Sequence, residues 1–475
     1  MSSMSSDRIR DALTDTALKV SAGNKRTNLA SVRSSPGAYL ALAAVATFLS
    51  LVLLRGQYDF AALALIISTW IAVPLLVLTD RLNFDGQTLS RRGLIAALSR
   101  IVRGRTIRIA IDEIEGIEIS ALRTLRRGGS VRYRYRVEVT ADQMALVFSS
   151  GGKKFRRMTG QLLPVMPDAK LDARALELRD HLVDPKRLRS EAKQLGIAST
   201  MVLDASDLTA HGKRRLNSDA SARDEMMAPD FERGRSLRKA ANDLRVAGRL
   251  RESAEAFRRA LLITPRDAPL IYEYARLLKS QASALGDASL RARARAALRL
   301  AAMRDRGDAD LSTRIGESFL EHGNPERARK SFQRALEIDE RAFRAQLGLA
   351  EASLSEGKLA HVIHHFGEAA RIAPDKATAR LARREADYYS RLNDDEDYLA
   401  AELRRMNWLQ NAARIQQLAA RASFASLLLA LTGSSINQFV AGVGWALASS
   451  SIIAWSASLI ATRLLATRRK SPALS

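Results

Sequence analysis

No cysteine occurs among the 475 residues. That excludes a disulfide framework, a cysteine nucleophile, and thiolate ligation of zinc or an iron–sulfur cluster. Aromatic residues are scarce, at 5%, which disfavours a large β-sandwich and favours helices built from Ala, Leu and Arg. Acid is short as well: Asp+Glu 51 against Lys+Arg 75 leaves a net charge of +24, so some face must meet phosphate, anionic lipid or an acidic partner. There is no P-loop, GxSxG elbow, HExxH pair or Gly-rich dinucleotide turn, so neither an enzyme nor a bound cofactor is expected. The one histidine cluster is His361, His364 and His365. His361 and His365 share a helical face, but only Glu368 is near enough in sequence to be a third ligand, and no metal site is assigned.

The mean hydropathy of -0.14 averages very unlike parts. Residues 34–54 form an uncharged run closed by Arg33 and Arg55, and residues 60–79 form a second after the connection RGQYD. Each has the ~20 residues a membrane helix needs, and neither shows the polar stripe of a soluble helix. A further uncharged stretch runs from Ala422 to Thr462. It divides into two spans with a turn near Ser434 to Gln438 or Gly442 to Gly444; a single span from about Phe439 behind an amphipathic lead-in is the alternative. Arg and Lys flank the first hairpin on one side, and Arg468, Arg469 and Lys470 follow the last run. An even number of spans keeps all of these in the cytoplasm. The expectation is four transmembrane helices, with both termini and the middle of the chain cytoplasmic. Ala and Arg richness suggests a bacterial inner membrane.

Residues 81–183 change to short β-like runs: LNFDGQTLSRR, TIRIAIDEIEGIEI, RYRYRVEVT, MALVFSS and KKFRRM. Tyr133, Tyr135, Val137 and Val139 alternate as in a half-exposed strand, whereas Leu171, Ala175, Leu178 and Leu182 follow helical spacing. Strands closed by one helix directly after two membrane spans resemble the bacterial PH-like domain family, with Ile111, Ile114 and Ile117 resembling its turn-to-strand segment. The resemblance implies a binding or spacing module without chemistry of its own. A basic amphipathic stretch from Gly93 to Arg108 adds a candidate lipid-headgroup set: Arg91, Arg92, Arg100, Arg103, Arg105 and Arg108.

Residues 184–233 read as a linker, with room for one polar helix before Gly196. Beyond it an internal period emerges. Gly323, Phe332 and Ala335 recur 34 residues later as Gly357, Phe366 and Ala369, and Gly248, Phe257, Ala260 and Pro265 repeat the pattern earlier. These residues resemble the tetratricopeptide repeat family, which implies a solenoid of helix hairpins over 234–267, 268–308, 309–342 and 343–376, capped by a helix at 377–392. The second unit carries an insertion around Ser280 to Leu290. A connecting helix at 393–421, the last hairpin at 422–462 and a cytoplasmic tail at 463–475 complete the order, after an N-terminal segment at 1–33. The fold class expected is a multi-domain integral membrane protein, mainly α, with a small β-rich domain.

In this family partners bind the concave wall formed by the first helix of each hairpin. The resemblance places Arg235, Arg238, Asn242, Arg245, Tyr272, Arg276 and Lys279 there, followed by Glu317, Arg344 and Glu351. Arg238 and Asn242 stand where chaperone-binding members keep a carboxylate clamp, but Glu273 and Asp310 occupy the places of its other residues. Capture of an acidic segment by arginine forks is the expected use. The leading function is therefore a membrane-anchored adaptor that recruits a protein partner. The alternatives are a regulatory or assembly component of a transport or signalling complex, and a membrane-tethered nucleic-acid binder, for which net charge is the only support.

Overall fold

A strand that the sequence reading left in the N-terminal segment opens the structure, a computed structural model. It describes residues 29–34, 37–94, 96–97, 100, 107–125, 131–142, 144–150, 152–197, 228–435 and 437–465. Strand β1 (Ala30–Arg33) precedes the first apolar hairpin, α1 (Gly37–Arg55) and α2 (Asp59–Thr79), and pairs antiparallel with β2 (Arg81–Phe84), which follows it. The hairpin is thus an insertion between two neighbouring strands. β3 (Thr88–Arg92) and β4 (Arg108–Ala110) complete a four-stranded antiparallel sheet in the order β1-β2-β3-β4. β5 (Gly116–Leu125), β6 (Val131–Ala141) and β7 (Met144–Ser149) form a second, three-stranded sheet. Alternation explains both: Leu82, Phe84, Leu89 and Ile109 from one sheet meet Ile117, Ile119, Val137, Val139 and Phe148 from the other in a single core.

Three helices follow the strands: α3 (Lys153–Leu162), α4 (Ala173–His181), where the covering helix was expected, and α5 (Pro185–Gln194), where the linker had room for one polar helix. The run KKFRRM, read as β-like, is the start of α3. Phe155, Met158, Thr159 and Leu162 are its buried residues, and their three- and four-residue spacing makes one apolar helical face. The linker is likewise shorter than expected. Leu188, Ala192 and Ile197 pack with Leu237, Ala240 and Leu244 of the first repeat helix, so 184–197 is docked structure. Residues 198–227 of the linker, the first 28 residues and 466–475 of the tail lie outside the described residues.

Helices α6 (Ala228–Val246), α7 (Leu250–Ile263), α8 (Ala268–Leu285), α9 (Ala288–Arg304), α10 (Ala309–Glu321), α11 (Pro325–Ile338), α12 (Phe343–Ser355) and α13 (Leu359–Ile372) alternate with short turns. This is a series of helix hairpins, its first member starting ahead of Gly234. The insertion in the second unit lengthens α8 and α9. Phe332 is wholly buried and explains two glycines, because a Cβ on Gly316 would lie 2.5 Å from its ring and one on Gly348 2.3 Å. The ring from α11 therefore packs into notches on α10 and α12 that any side chain would close.

The chain divides into two compact units. The first contains the segment before α1, Thr79–Glu356 and Glu368–Leu381; the second contains Pro36–Leu78, Gly357–Gly367 and Ala382–Ser475. α14 (Lys376–Asp394) continues past the expected cap. In the second unit, α15 (Glu396–Gly433) and α16 (Gln438–Leu465) form a long antiparallel pair. A Cβ on Gly444 would lie 2.5 Å from the Ala430 nitrogen, and Gln416 Nε2 donates to Thr462 Oγ1 at 3.0 Å. The Arg55 guanidinium sits 6.0 Å from the Trp445 ring centre, which brings the end of α1 beside the start of α16.

Among the described residues two helical stretches, Asp59–Thr79 and Gln438–Leu459, are long and apolar enough to cross a membrane, by length and composition. The described apolar stretch of α1 is Val45–Arg55. Of the two turn positions expected within 422–462, the first is the one observed. The turn falls at Ser434–Asn437, leaving α15 an uncharged end of roughly 18 Å against the ~30 Å of a bilayer core.

Candidate protein-interaction site

The wall expected to be open is largely closed from within. α4 of the β-rich domain lies against the first repeats, and its Glu177 carboxylate is held between two of the predicted groove residues. Arg276 Nη2 donates to Glu177 Oε2 at 3.1 Å, and Arg245 Nη1 pairs with the other carboxylate oxygen. Burial by itself would raise the Glu177 pKa, but the two guanidinium groups overcome it and hold the carboxyl at about 2. Arg276 responds in kind: burial alone would lower its pKa, yet Glu177 raises it further.

The neighbouring clamp is also filled. Arg238 Nε and Nη2 donate to both Glu273 oxygens at 2.7 Å, and Asn242 Nδ2 donates to Glu273 Oε2 at 2.7 Å. Glu273 therefore stands as the carboxylate that Arg238 and Asn242 would otherwise take from a partner. Lys279 pairs with Glu321, and Arg344 Nη2 donates to Glu317 at 2.6 and 2.8 Å. Tyr272 is buried, and Arg276 Nη1 lies 3.5 Å from its hydroxyl. Arg235 is exposed with its guanidinium 4.9 Å from the Phe231 ring centre. Glu351 also reaches solvent, although desolvation, then Glu317 and Glu118, raise its pKa to about 7. The expectation that the cations of this wall face solvent for a partner is corrected: Arg238, Arg245, Arg276, Lys279 and Arg344 all have acidic partners within the chain.

Further contacts fasten the β-rich domain to the repeats. Tyr135 donates from its hydroxyl to the Val246 carbonyl at 3.0 Å, and His181 Nδ1 lies 2.9 Å from Asp243 Oδ1. Lys170, itself buried, pairs with Asp375 at 3.0 Å. The Val131 N–H donates to the Gly248 carbonyl at 3.0 Å. Gly248 has φ +81°, and a Cβ there would lie 1.9 Å from the Val131 oxygen, so the glycine that turns the first hairpin is also the point where β6 lands.

What stays open is a cleft of about 700 Å³ at the other end of this contact. The 3₁₀ turn Asp168–Lys170 forms one side, and the starts of α10 and α12 with the end of α13 form the other. Phe343, Ile372 and Pro374 supply apolar surface, Arg341 and Arg371 are exposed on its rim with Arg371 paired to Glu368, and Asp168, Asp310 and Asp339 also line it. Sequence reasoning missed Arg341, Arg371 and Asp168, because they lie at helix ends and in a turn rather than on the periodic wall. It also missed Glu177, since nothing in LDARALELRDHLV distinguishes an acid that docks from one that is solvated.

Of the arginines assigned to lipid, Arg91 is not free for that role. Its Nε and Nη2 donate to Asp80 at 2.8 and 2.7 Å. Arg108 Nε donates to Thr88 Oγ1 at 3.0 Å, with Asp85 at 3.7 Å from the guanidinium. Arg92 and Arg100 are exposed. Arg103 and Arg105 lie outside the described residues. No group of three or more His, Asp or Glu placed to hold a metal ion occurs among the described residues.

No protein-family model matches the chain, and no curated protein matches it. Among solved structures it is similar to "Crystal structure of MamA", at 17% identity and a TM-score of 0.25, over 36% of this chain and 95% of that one. A second, "Crystal structure of MamA protein", shares 15% identity at a TM-score of 0.26, over 36% of this chain and 97% of that one.

Proposed function

We propose that the chain is a non-catalytic, membrane-anchored adaptor whose β-rich domain and helical repeats act as one receptor body for a protein partner. The observation that carries this reading is the cleft, which combines open volume, apolar surface and the exposed guanidinium groups of Arg341 and Arg371. Its partner is a segment with an apolar anchor flanked by acid, which Arg341 and Arg371 would hold as forks. A PH-like role for residues 81–183 is part of the proposal; strand β1 would extend that domain to the N-terminal side of the hairpin.

Anchoring rests on α1–α2 and α15–α16, with exposed Phe60, Trp70, Ile71, Phe424, Phe439 and Ile453 facing lipid. The four-span arrangement needs α15 to cross with Arg421 near its end, the long side chain reaching back to the interface. The membrane proposed is a bacterial inner membrane, with the receptor body and both termini cytoplasmic.

The test is crosslinking and recovery of partners from solubilised membranes, comparing the intact chain with Arg341→Glu/Arg371→Glu. Loss of a reproducible partner from the folded variant supports the cleft. Unchanged recovery would remove it as the binding surface.

A further inference from the structure

The register of the four-stranded sheet lines up three arginines in one row. Arg33 of β1 is opposite Arg81 of β2, and Arg81 is opposite Arg92 of β3. Successive residues of a strand point to opposite faces, and Val32, Leu82 and Leu89 lie in the core. The three arginines therefore share the outer face, and all are exposed. Among the described residues none has a salt-bridge partner, whereas Arg91 on the inner face is taken up by Asp80. Like charges directly opposite one another destabilise a sheet. This row is a standing repulsion that an external anion would relieve.

Its position says which anion. The chain enters α1 just after Arg33 and leaves α2 just before Arg81. Next to Arg92, Gly93 has φ +129°, and a Cβ there would lie 2.6 Å from the Thr79 carbonyl oxygen. Only glycine lets the end of β3 close on the last residue of α2, which keeps the row at the foot of the apolar hairpin. We infer that Arg33, Arg81 and Arg92 form a ladder that binds phosphate groups of anionic phospholipids in the leaflet surrounding the hairpin. Guanidinium forks match phosphate in geometry and charge. The inference rests on the membrane-anchoring reading, and it moves the headgroup site from the stretch ending at Arg108 to the outer face of the sheet at the strand ends nearest the hairpin.

The experiment uses the full chain reconstituted into vesicles of phosphatidylcholine alone or with phosphatidylglycerol, followed by mass spectrometry of the lipids retained on extraction. Enrichment of phosphatidylglycerol over phosphatidylcholine is expected, and Arg33→Gln/Arg81→Gln/Arg92→Gln should lower it about tenfold or more. Arg33→Lys/Arg81→Lys/Arg92→Lys should keep most of it. Rising salt should weaken it as the screening length shortens. Insertion into both vesicle types without preference, or an unchanged preference in the folded Gln variant, overturns the ladder while leaving the anchor intact. Failure to insert at all overturns the anchoring reading first. Inorganic phosphate that stabilises the solubilised protein and abolishes the lipid preference at equal phosphate concentration would make this a free-phosphate site, and the leaflet assignment would fall.

Discussion

Replacing Glu177 by Gln is the most direct way to test whether the β-rich domain is held in the repeat groove by charge. Glu177 and its two arginines are nearly closed to solvent, with side chains 11%, 7% and 16% exposed. Holding the carboxyl at about 2 instead of 4.5 corresponds to about 3 kcal/mol at neutral pH, taking 1.36 kcal/mol per pKa unit. Glutamine keeps the shape but leaves Arg245 and Arg276 facing each other without a counter-charge, which costs about 3–5 kcal/mol for a broken buried pair. Hydrogen exchange of the α4 and α6 amides, corrected for intrinsic rates, reads this opening directly. Protection should fall on the order of a hundredfold or more in Glu177→Gln, since 1.4 kcal/mol is about tenfold. The sign with pH follows from a folded pKa below the unfolded one. The stabilisation is complete above about 4.5 and is lost as the pH falls towards about 2, so the unmodified chain should lose α4 protection in that window. Replacing all three groups together, Glu177→Leu/Arg245→Met/Arg276→Met, should restore much of the protection, because a packed apolar trio needs no counter-charge. Unaltered protection in a folded Glu177→Gln variant would refute the claim that this ion triad holds the domains together.

Three further outcomes are expected. Phe332→Ala empties a fully buried ring site and should destabilise the repeats by about 3–5 kcal/mol, read by denaturant unfolding of the purified chain. Gly348→Ala presses a methyl into that same ring and should cost about 1–3 kcal/mol by overpacking, while Gly348→Ala/Phe332→Leu should recover part of the loss. Gly248→Ala combines a left-handed backbone with a clash against the Val131 carbonyl; exchange protection should fall at the start of β6 and in the α6–α7 turn, with α10–α12 unaffected.

The parts of this architecture that could be read in the sequence are those whose cause is local. Phe332 and Phe366, with Gly323 and Gly357, recur at one spacing because each hairpin solves the same packing problem as its neighbour. The apolar hairpin after Arg33 was equally legible, because neither of its two uncharged runs carries the polar stripe of a soluble helix. Strand β1 was not, since its partner Arg81–Phe84 lies beyond two helices, and four residues carry too little alternation to be noticed. KKFRRM was misread because the run is shorter than two helical turns, and its pattern becomes helical only when Thr159 and Leu162 are included. The filled groove was hidden for another reason. A guanidinium awaiting a partner and one already holding Glu177 have the same sequence, and only the fold distinguishes them.

The pairing of β1 with β2 also constrains the membrane topology independently of charge bias. Arg33 and Arg81 are neighbours in one sheet, and the Ser34 N–H donates to the Asp80 carbonyl at 3.3 Å. A chain that leaves this sheet into α1 and returns through α2 must cross a bilayer an even number of times, or not at all. The same holds for α15 and α16, whose Gln416 and Thr462 meet at the end away from the turn, and Arg55 beside Trp445 puts both turns at one end of the second unit. The absence of native cysteine makes single-cysteine labelling clean. Tyr58→Cys and Ser435→Cys, each at an exposed turn, should react with a membrane-impermeant maleimide in intact cells, and Lys186→Cys should react only after permeabilisation. Labelling of Tyr58→Cys and Lys186→Cys from the same side would mean that the hairpin lies along the surface rather than across it. If Tyr58→Cys reacts in intact cells and Ser435→Cys only after permeabilisation, neither α15 nor α16 crosses, and the anchor reduces to the α1–α2 hairpin.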